Sequence, residues 1–154
     1  MQEASSLNQV SEFHTIFKHP ILDNPAIPSK ERCALRVSLL AEEVKELQEA
    51  IDDNNLVEIA DALCDIQYVL AGAILEFGMG GKFKTLFDEV HRSNMSKACK
   101  TVEEAEQTIV KYKAKDGCEC HYEKDGDLYL VYRTADHKTL KSINYSPADL
   151  KGLL

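Results

Sequence analysis

Long apolar runs and a surplus of basic residues are both missing from this sequence of 154 residues. The longest apolar stretch, residues 66–75, is much shorter than the roughly 20 residues of a membrane-spanning helix, so we expect no membrane segment. The formal net charge is −8, whereas a general nucleic-acid binder presents a basic surface. We therefore expect no nucleic-acid polymer as a partner.

A secretory signal is also missing, because the start, MQEASSLNQV, has neither a basic segment nor an apolar core. We therefore expect a cytoplasmic protein. The five cysteines, an odd number, then indicate reduced thiols. Cys118-x-Cys120-His121 suggests a zinc site, but a second Cys/His pair at the usual spacing is missing, and we do not favour that interpretation.

The composition, with 44% hydrophobic and 29% charged residues, is typical of a globular protein, and we predict a single domain over residues 1–154. Apolar periodicity and capping residues predict the elements. Helices are predicted over about 5–19, 30–52, 56–77, 82–93 and 102–113, and a β-hairpin over 118–132, with 139–143 as a third strand. The predicted fold class is mainly α, a four- to five-helix bundle with a helical body (1–114) and a small C-terminal β-hairpin or meander (115–146).

Acidic residues form a stripe on each of two neighbouring helices, which a short turn at residues 53–55 makes antiparallel. Both stripes border apolar helix faces. We call them the acidic stripes, and they consist of Glu42, Glu43 and Glu46 on the first helix and Glu58, Asp61 and Asp65 on the second.

Carboxylates held this close repel one another unless protons or a cation neutralise them. A cluster without histidine or cysteine suits a hard divalent ion such as Mg²⁺, which prefers oxygen ligands and keeps waters and substrate phosphates in its shell. A merely solvated helix face is the simpler explanation, but six carboxylates beside the core favour metal binding. A ferritin-type di-iron site is the other possibility, and it would need a Glu-x-x-His motif on two helices. The histidine positions are occupied here by Glu46 and Asp61, so we do not favour a di-iron site.

Two segments resemble a known superfamily. Glu43-x-x-Glu46, an eleven-residue spacer and Glu58-x-x-Asp61 resemble the metal-binding signature of the all-α nucleoside triphosphate pyrophosphohydrolases, which include MazG, dimeric dUTPases and phosphoribosyl-ATP pyrophosphohydrolase. The segment FDEVHRSNMSK (87–97) resembles the phosphate-binding segment of the phosphoribosyl-ATP-pyrophosphohydrolase-like and dUTPase-like branch. The resemblance covers about residues 10–97.

The resemblance implies a Mg²⁺- or Mn²⁺-dependent enzyme that releases pyrophosphate and a nucleoside monophosphate, in a housecleaning or dUTPase-like role. The implied metal ligands are Glu43, Glu46, Glu58 and Asp61, with Asp65 as an added ligand or outer contact. Glu42 would activate the attacking water. The expected phosphate or nucleotide contacts are Arg92, Asn94, Lys97 and, if the first helix closes over the base, Phe13 or His14. Without that closure, His14 and His19 are expected at the surface or rim.

Two alternatives stay open: phosphoribosyl-ATP as the substrate, and a helical protein that binds nucleotide and metal without turnover. The apolar stretch 66–75 predicts a partner subunit, because a helix without a polar face is buried on every side and the chain has few helices to cover it. We expect a homodimer or a dimer of dimers, as in the resembling enzymes.

Overall fold

The protein is described by a computed structural model over residues 4–154. In this part of the chain the structure has five helices and one two-stranded antiparallel sheet, so the predicted mainly α fold is confirmed. The elements are α1 (Ser6–Phe17), α2 (Lys30–Asp52), α3 (Leu56–Glu76), α4 (Phe83–Met95), α5 (Val102–Asp116), β1 (Cys120–Asp125) and β2 (Leu128–Arg133). Across residues 4–154, every helix is too short or too polar to cross a membrane.

The chain divides into two compact units, one ending at Phe83 and the other formed by Lys84–Leu154. The division falls after the first residue of α4 and before α5, whereas both helices were predicted to lie in a body that ends at residue 114. Helix α5 belongs to the second unit because it packs on the hairpin. Its Ala105 shares a buried core with Val131 and Leu140. The hairpin is therefore part of a larger second unit.

In the first unit, α2 and α3 form a helical hairpin with the predicted boundaries. The Ser29 hydroxyl accepts a hydrogen bond from the Arg32 backbone N–H and caps α2. The Asn55 side-chain oxygen accepts from the backbone N–H groups of Val57 and Glu58 and caps α3. Asn54, at φ 51°, closes the turn between these helices. The short turn fixes the two helices as antiparallel neighbours.

The end of α3 is covered by the proline-rich connector of the same chain. The Leu22 N–H donates to the Leu75 carbonyl at 3.0 Å, and the Ala26 N–H donates to the Phe77 carbonyl at 3.1 Å. Gly78 follows at φ 68°, and a Cβ at this position would lie 1.9 Å from the Asn24 carbonyl oxygen. Only glycine fits this close approach of the two backbones.

The expectation that a partner subunit covers residues 66–75 is wrong for the second half of the stretch. Ala71 and Leu75 form a buried cluster with Val10 of α1. Ile74 is also buried. The prediction missed this burial because it did not anticipate that α1 and the connector pack along α3. Leu70 stays 38% exposed, so an apolar surface is left on the first half of the stretch.

In the second unit, β1 and β2 pair with Cys120 opposite Arg133 and Asp125 opposite Leu128. The predicted third strand over 139–143 is wrong. Thr139 makes only an isolated bridge to Tyr132. Beyond it, Cys99 takes the next pairing position on β2 through two backbone hydrogen bonds with Tyr129. The backbone N–H groups of residues 141 and 143 donate to the hydroxyls of Tyr112 and Thr108 on α5.

Candidate functional site

The α2–α3 hairpin sets the two acidic stripes against each other. Glu43 is half-buried on α2, and its pKa is raised above the ordinary value by partial burial and then by the charges of its neighbours. Those neighbours are, in order of effect, Glu46, Asp65, Glu42 and Asp61. Since Asp61 and Asp65 belong to α3, negative charge acts on Glu43 from both helices. The sequence spacing therefore placed the stripes on facing sides of the hairpin.

The stripes extend to the turn between the helices. There Glu46 of α2 and Glu58 of α3 line one cleft of about 280 Å³. Glu42, Glu46, Glu58, Asp61 and Asp65 are all exposed, so water and ions reach them. The six residues thus form one acidic surface that runs from the turn to Asp65.

The donors of this surface fit a hard cation. All of them are carboxylate oxygens, which Mg²⁺ and Mn²⁺ prefer. Within residues 4–154, no three of these carboxylates bring ligand atoms within 4.8 Å of one another. Exposed glutamates have several rotatable bonds, and Mg²⁺ commonly completes its shell with waters, so direct contact with every carboxylate is not required.

A cavity of about 200 Å³ lies next to the acidic stripes in the same unit. We call it the aromatic pocket, and its lining includes Phe13, His19, Leu39, Tyr68 and Val69. Leu39 precedes Glu43 by one helical turn, and Val69 follows Asp65 by one turn. The Phe13 ring stacks on the His19 ring at 5.7 Å and meets Tyr68 edge-on at 5.6 Å. The pocket therefore offers flat aromatic surfaces beside the carboxylates.

A buried ion-pair network forms one wall of this pocket. Glu76 is 1% exposed and binds the guanidinium groups of Arg32 and Arg36. Burial alone would raise the pKa of Glu76, but hydrogen bonds from Arg36 and Arg32 outweigh burial and lower it. This network was not predicted from the sequence. Two features of the sequence could have indicated the network. Arg32 and Arg36 lie one helical turn apart, and Glu76 is a single charge at the end of an apolar helix.

His14 belongs to the network and is 2% exposed, so the expected surface or rim position is wrong for it. Burial lowers the pKa of His14, while its bond to the Pro20 carbonyl partly opposes this effect. Gly72 provides the space, because a Cβ there would lie 2.7 Å from Nη1 of Arg36 and 3.0 Å from Nε2 of His14. His19 is exposed, as expected.

The predicted phosphate-binding residues lie in the second unit, Arg92 and Asn94 in the last turn of α4 and Lys97 just beyond it. Arg92 forms a two-pronged ion pair with Glu89 at 2.7 and 2.8 Å. It also donates to the Ser146 hydroxyl and the Pro147 carbonyl. Arg92 thus ties the C-terminal segment to α4, a contact that the sequence did not indicate. Asn94 is exposed and Lys97 is half-buried.

Comparison with known proteins gives two matches. The sequence model of the phosphoribosyl-ATP pyrophosphohydrolase family matches residues 10–94, more than half of the chain. An uncharacterized protein of Acanthamoeba polyphaga mimivirus is 26% identical, in a match that covers 99% of this chain and 97% of that protein. The family match spans both acidic stripes, the aromatic pocket and α4 up to Asn94.

Proposed function

The chain belongs to the phosphoribosyl-ATP pyrophosphohydrolase family, and from that membership we propose that it hydrolyses a nucleoside triphosphate in a metal-dependent reaction. The proposed products are a nucleoside monophosphate and pyrophosphate, as in a housecleaning or dUTPase-like enzyme. The observation that carries this proposal is the half-buried Glu43, whose pKa is raised by burial and by four carboxylates from both helices. Such a cluster is stabilised by a divalent cation.

Glu43, Glu46, Glu58 and Asp61 are the residues that would hold the cation, with Asp65 one turn further along α3. Bound Mg²⁺ or Mn²⁺ would neutralise charge on the phosphate oxygens and on the departing pyrophosphate. Glu42, exposed and adjacent to Glu43, would accept the proton of the attacking water. The water oxygen forms the new bond to phosphorus while the bond between two phosphates breaks.

The aromatic pocket is the proposed site for the base. Phe13 and Tyr68 present ring faces and edges, and nucleobases stack on such rings. Because Leu39 and Val69 lie one turn from Glu43 and Asp65, a nucleotide in this pocket would extend its phosphates toward the acidic stripes. The buried network behind the pocket would hold α1 against α2 and α3, and so fix the position of Phe13.

Partner and phosphate contacts are also proposals. Several apolar side chains of the helical hairpin are exposed, among them Val44 at 56% and Leu63 at 52%. Apolar surface left in water is commonly covered by a partner, so these exposed side chains support a homodimer or a dimer of dimers. The phosphate contacts of Arg92, Asn94 and Lys97 stay a prediction from the resemblance.

Phosphoribosyl-ATP is a second candidate substrate, because the matching family is named for that activity. It requires the same cleavage of a phosphate–phosphate bond and the same carboxylates. A protein that binds nucleotide and metal without turnover is the third candidate.

The test is a pyrophosphate-release assay with the common ribo- and deoxyribonucleoside triphosphates and phosphoribosyl-ATP, each with Mg²⁺, Mn²⁺ or a chelator. We expect release from one substrate class only with metal. Glu46→Gln and Asp61→Asn are expected to lower kcat/KM at least about 100-fold, the usual scale for loss of electrostatic stabilisation. Asp52→Asn is the matched control, because Asp52 is an exposed carboxylate on α2 outside the stripes.

Full activity in both stripe variants would refute the site. Metal-dependent nucleotide binding without pyrophosphate release from any substrate would favour the non-catalytic alternative.

A further inference from the structure

Three side chains with metal-ligating atoms converge on the hairpin of the second unit. They are His121 and Glu123 of β1 and His137 of the loop after β2, and we call them the His–Glu–His cluster. One ligand atom from each lies within 4.8 Å of the other two. Oε1 of Glu123 is 3.6 Å from Nε2 of His121 and 3.4 Å from Nε2 of His137.

The strand geometry brings two of these residues together. Alternate residues of a strand project from the same face, so His121 and Glu123 share one face of β1. On that face the rings of His121 and His137 are 5.7 Å apart. The positions of His121 and Glu123 are therefore fixed by the hairpin itself.

The loop after β2 brings the third residue back to that face. The His137 N–H donates to the Arg133 carbonyl at 2.9 Å, and Arg133 pairs with Asp136. His137 has φ 56°, a left-handed conformation that few residues other than glycine adopt. Its ring packs on Tyr132 with 4.1 Å between centroids. This backbone turn directs an imidazole toward Glu123.

Two of the three distances between ligand atoms are close to those of a tetrahedral metal centre. Zinc–nitrogen and zinc–oxygen bonds of about 2.0–2.1 Å give ligand–ligand separations of roughly 3.3–3.4 Å at tetrahedral angles. The two Glu123 distances, 3.4 and 3.6 Å, are close to this value. The third distance, between the ligand nitrogens of the two histidines, is within 4.8 Å. Three protein ligands of this type, two histidines and one glutamate, occur in zinc sites that keep a position for water.

Thr134 supplies the second contact that a histidine ligand usually makes. Its hydroxyl lies 3.3 Å from Nδ1 of His121. When Nδ1–H donates to that hydroxyl, Nε2 is left with its lone pair directed at Glu123. Metal-ligating histidines are commonly oriented through the other ring nitrogen in this way.

We propose that the His–Glu–His cluster binds one divalent transition-metal ion of the zinc class, through Nε2 of His121, Oε1 of Glu123 and Nε2 of His137, with water completing the shell. The ion joins the loop after β2 to β1. Its nitrogen donors distinguish it from the all-oxygen acidic stripes.

The neighbouring thiols are not part of this site. Cys118 and Cys120 have their sulfur atoms 3.4 Å apart. Cys120 and His121 are successive residues of β1, so their side chains project from opposite faces of the strand. The Cys120 side chain packs against the core of the second unit. The Cys118-x-Cys120-His121 combination considered from sequence therefore does not describe the cluster.

The experiment uses the full chain carrying Glu46→Gln and Asp61→Asn, so that the acidic stripes do not compete for metal. After chelator treatment, Zn²⁺ is titrated by calorimetry and Co²⁺ by visible absorption. We expect one ion per chain and a Co²⁺ spectrum without thiolate charge transfer. In this background, His137→Asn and Glu123→Gln are expected to weaken Zn²⁺ binding at least about 100-fold, more than the roughly 10- to 100-fold that loss of an outer contact costs.

The choice of Asn at position 137 preserves the fold, and one control variant accompanies the test variants. Asn adopts left-handed backbone readily, so His137→Asn retains the loop conformation. His91→Asn replaces an exposed histidine of α4 and is expected to leave Zn²⁺ affinity unchanged. In the wild-type chain, Zn²⁺ is expected to shift the imidazole NMR signals of His121 and His137 but not those of His91.

Unchanged Zn²⁺ affinity in both cluster variants would overturn the proposal. So would thiolate charge transfer in the Co²⁺ spectrum, or loss of binding in Cys118→Ser with retention in His137→Asn. None of these results depends on nucleotide hydrolysis, so failure here is distinguishable from failure of the proposed function.

Discussion

Nη2 of Arg36 lies 3.1 Å from Nε2 of His14, in the buried wall between α1 and α2. A guanidinium has only donors, so Nε2 must accept. Nδ1 lies 2.9 Å from the Pro20 carbonyl, which only accepts, so Nδ1 carries the proton. These two contacts fix one neutral tautomer of His14. Protonation of Nε2 would break the contact to Arg36 and place two positive charges side by side.

His14 should therefore make the stability of the protein depend on pH. Because folding lowers its pKa below the ordinary 6.5, the unfolded chain binds this proton more readily than the folded chain. The stabilisation that neutral, buried His14 gives to the folded chain is present above pH 6.5 and is lost as the pH falls below 6.5. Urea unfolding at pH 7.5, 6.5 and 5.5 should show a smaller decline in His14→Gln than in the wild type. The matched control His91→Gln should decline as the wild type does.

Glu76→Gln is expected to destabilise the first unit strongly. The substitution removes the charge that compensates Arg32 and Arg36, and removing one partner of a buried ion pair costs about 3–5 kcal/mol. Denaturant unfolding at pH 7.5 measures the change. Glu49→Gln disrupts only the exposed pair with Lys45 and should have little effect. A loss below about 1 kcal/mol for Glu76→Gln would contradict the structural role of the network.

The contrast between helix boundaries and this network shows what the sequence could predict. Ser29 and Asn55 act through contacts within three residues, so the starts of α2 and α3 followed from local chemistry. The facing of the acidic stripes followed from helical period and a short turn. The partners of Glu76 lie 40 and 44 residues away, and charged side chains are ordinarily expected in solvent. No local pattern pairs such residues.

The same distinction explains the errors in the second unit. The two strands followed from alternation and from Gly126, which begins the hairpin turn at φ 57°. The missing third strand depends on Cys99, whose backbone N–H and carbonyl pair with Tyr129 on the edge of β2 along which a strand over 139–143 would have continued. A β-like pattern does not reveal that another segment already occupies that edge.

Gly78→Ala is expected to destabilise the protein by more than about 1–3 kcal/mol, the usual cost of one strained residue. The added Cβ would require both a left-handed alanine and displacement of the Asn24 carbonyl. Thermal or urea unfolding measures the loss. Gly81→Ala is the control, because nothing lies within 4 Å of a Cβ at Gly81 and its φ is not positive. Equal stability of the two variants would show that the connector does not cover α3 in solution.

The acidic stripes should destabilise the protein when no divalent cation is present. Folding raises the pKa of Glu43 above its ordinary 4.5, so its ionised form opposes folding at pH 7.5. Glu46→Gln removes one neighbouring charge and should raise the free energy of unfolding in chelator by about 0.2–0.5 kcal/mol, the scale for a like-charged pair one turn apart. Added Mg²⁺ should stabilise the wild type more than Glu46→Gln. Asp52→Asn should respond to Mg²⁺ as the wild type does.

Phe13→Leu should weaken nucleotide binding without removing the carboxylates that act on phosphate. Leucine retains an apolar side chain but loses the ring that stacks on His19 and meets Tyr68, so base stacking should be lost. Stacking of one base on an aromatic ring contributes about 1–3 kcal/mol, equivalent to a roughly 5- to 150-fold increase in KM, with a smaller change in kcat. Ile16→Ala on the same helix is the control, because Ile16 is 62% exposed and does not line the pocket. An unchanged KM in Phe13→Leu would place the base elsewhere, because loss of a ring on which the base stacks would weaken nucleotide binding.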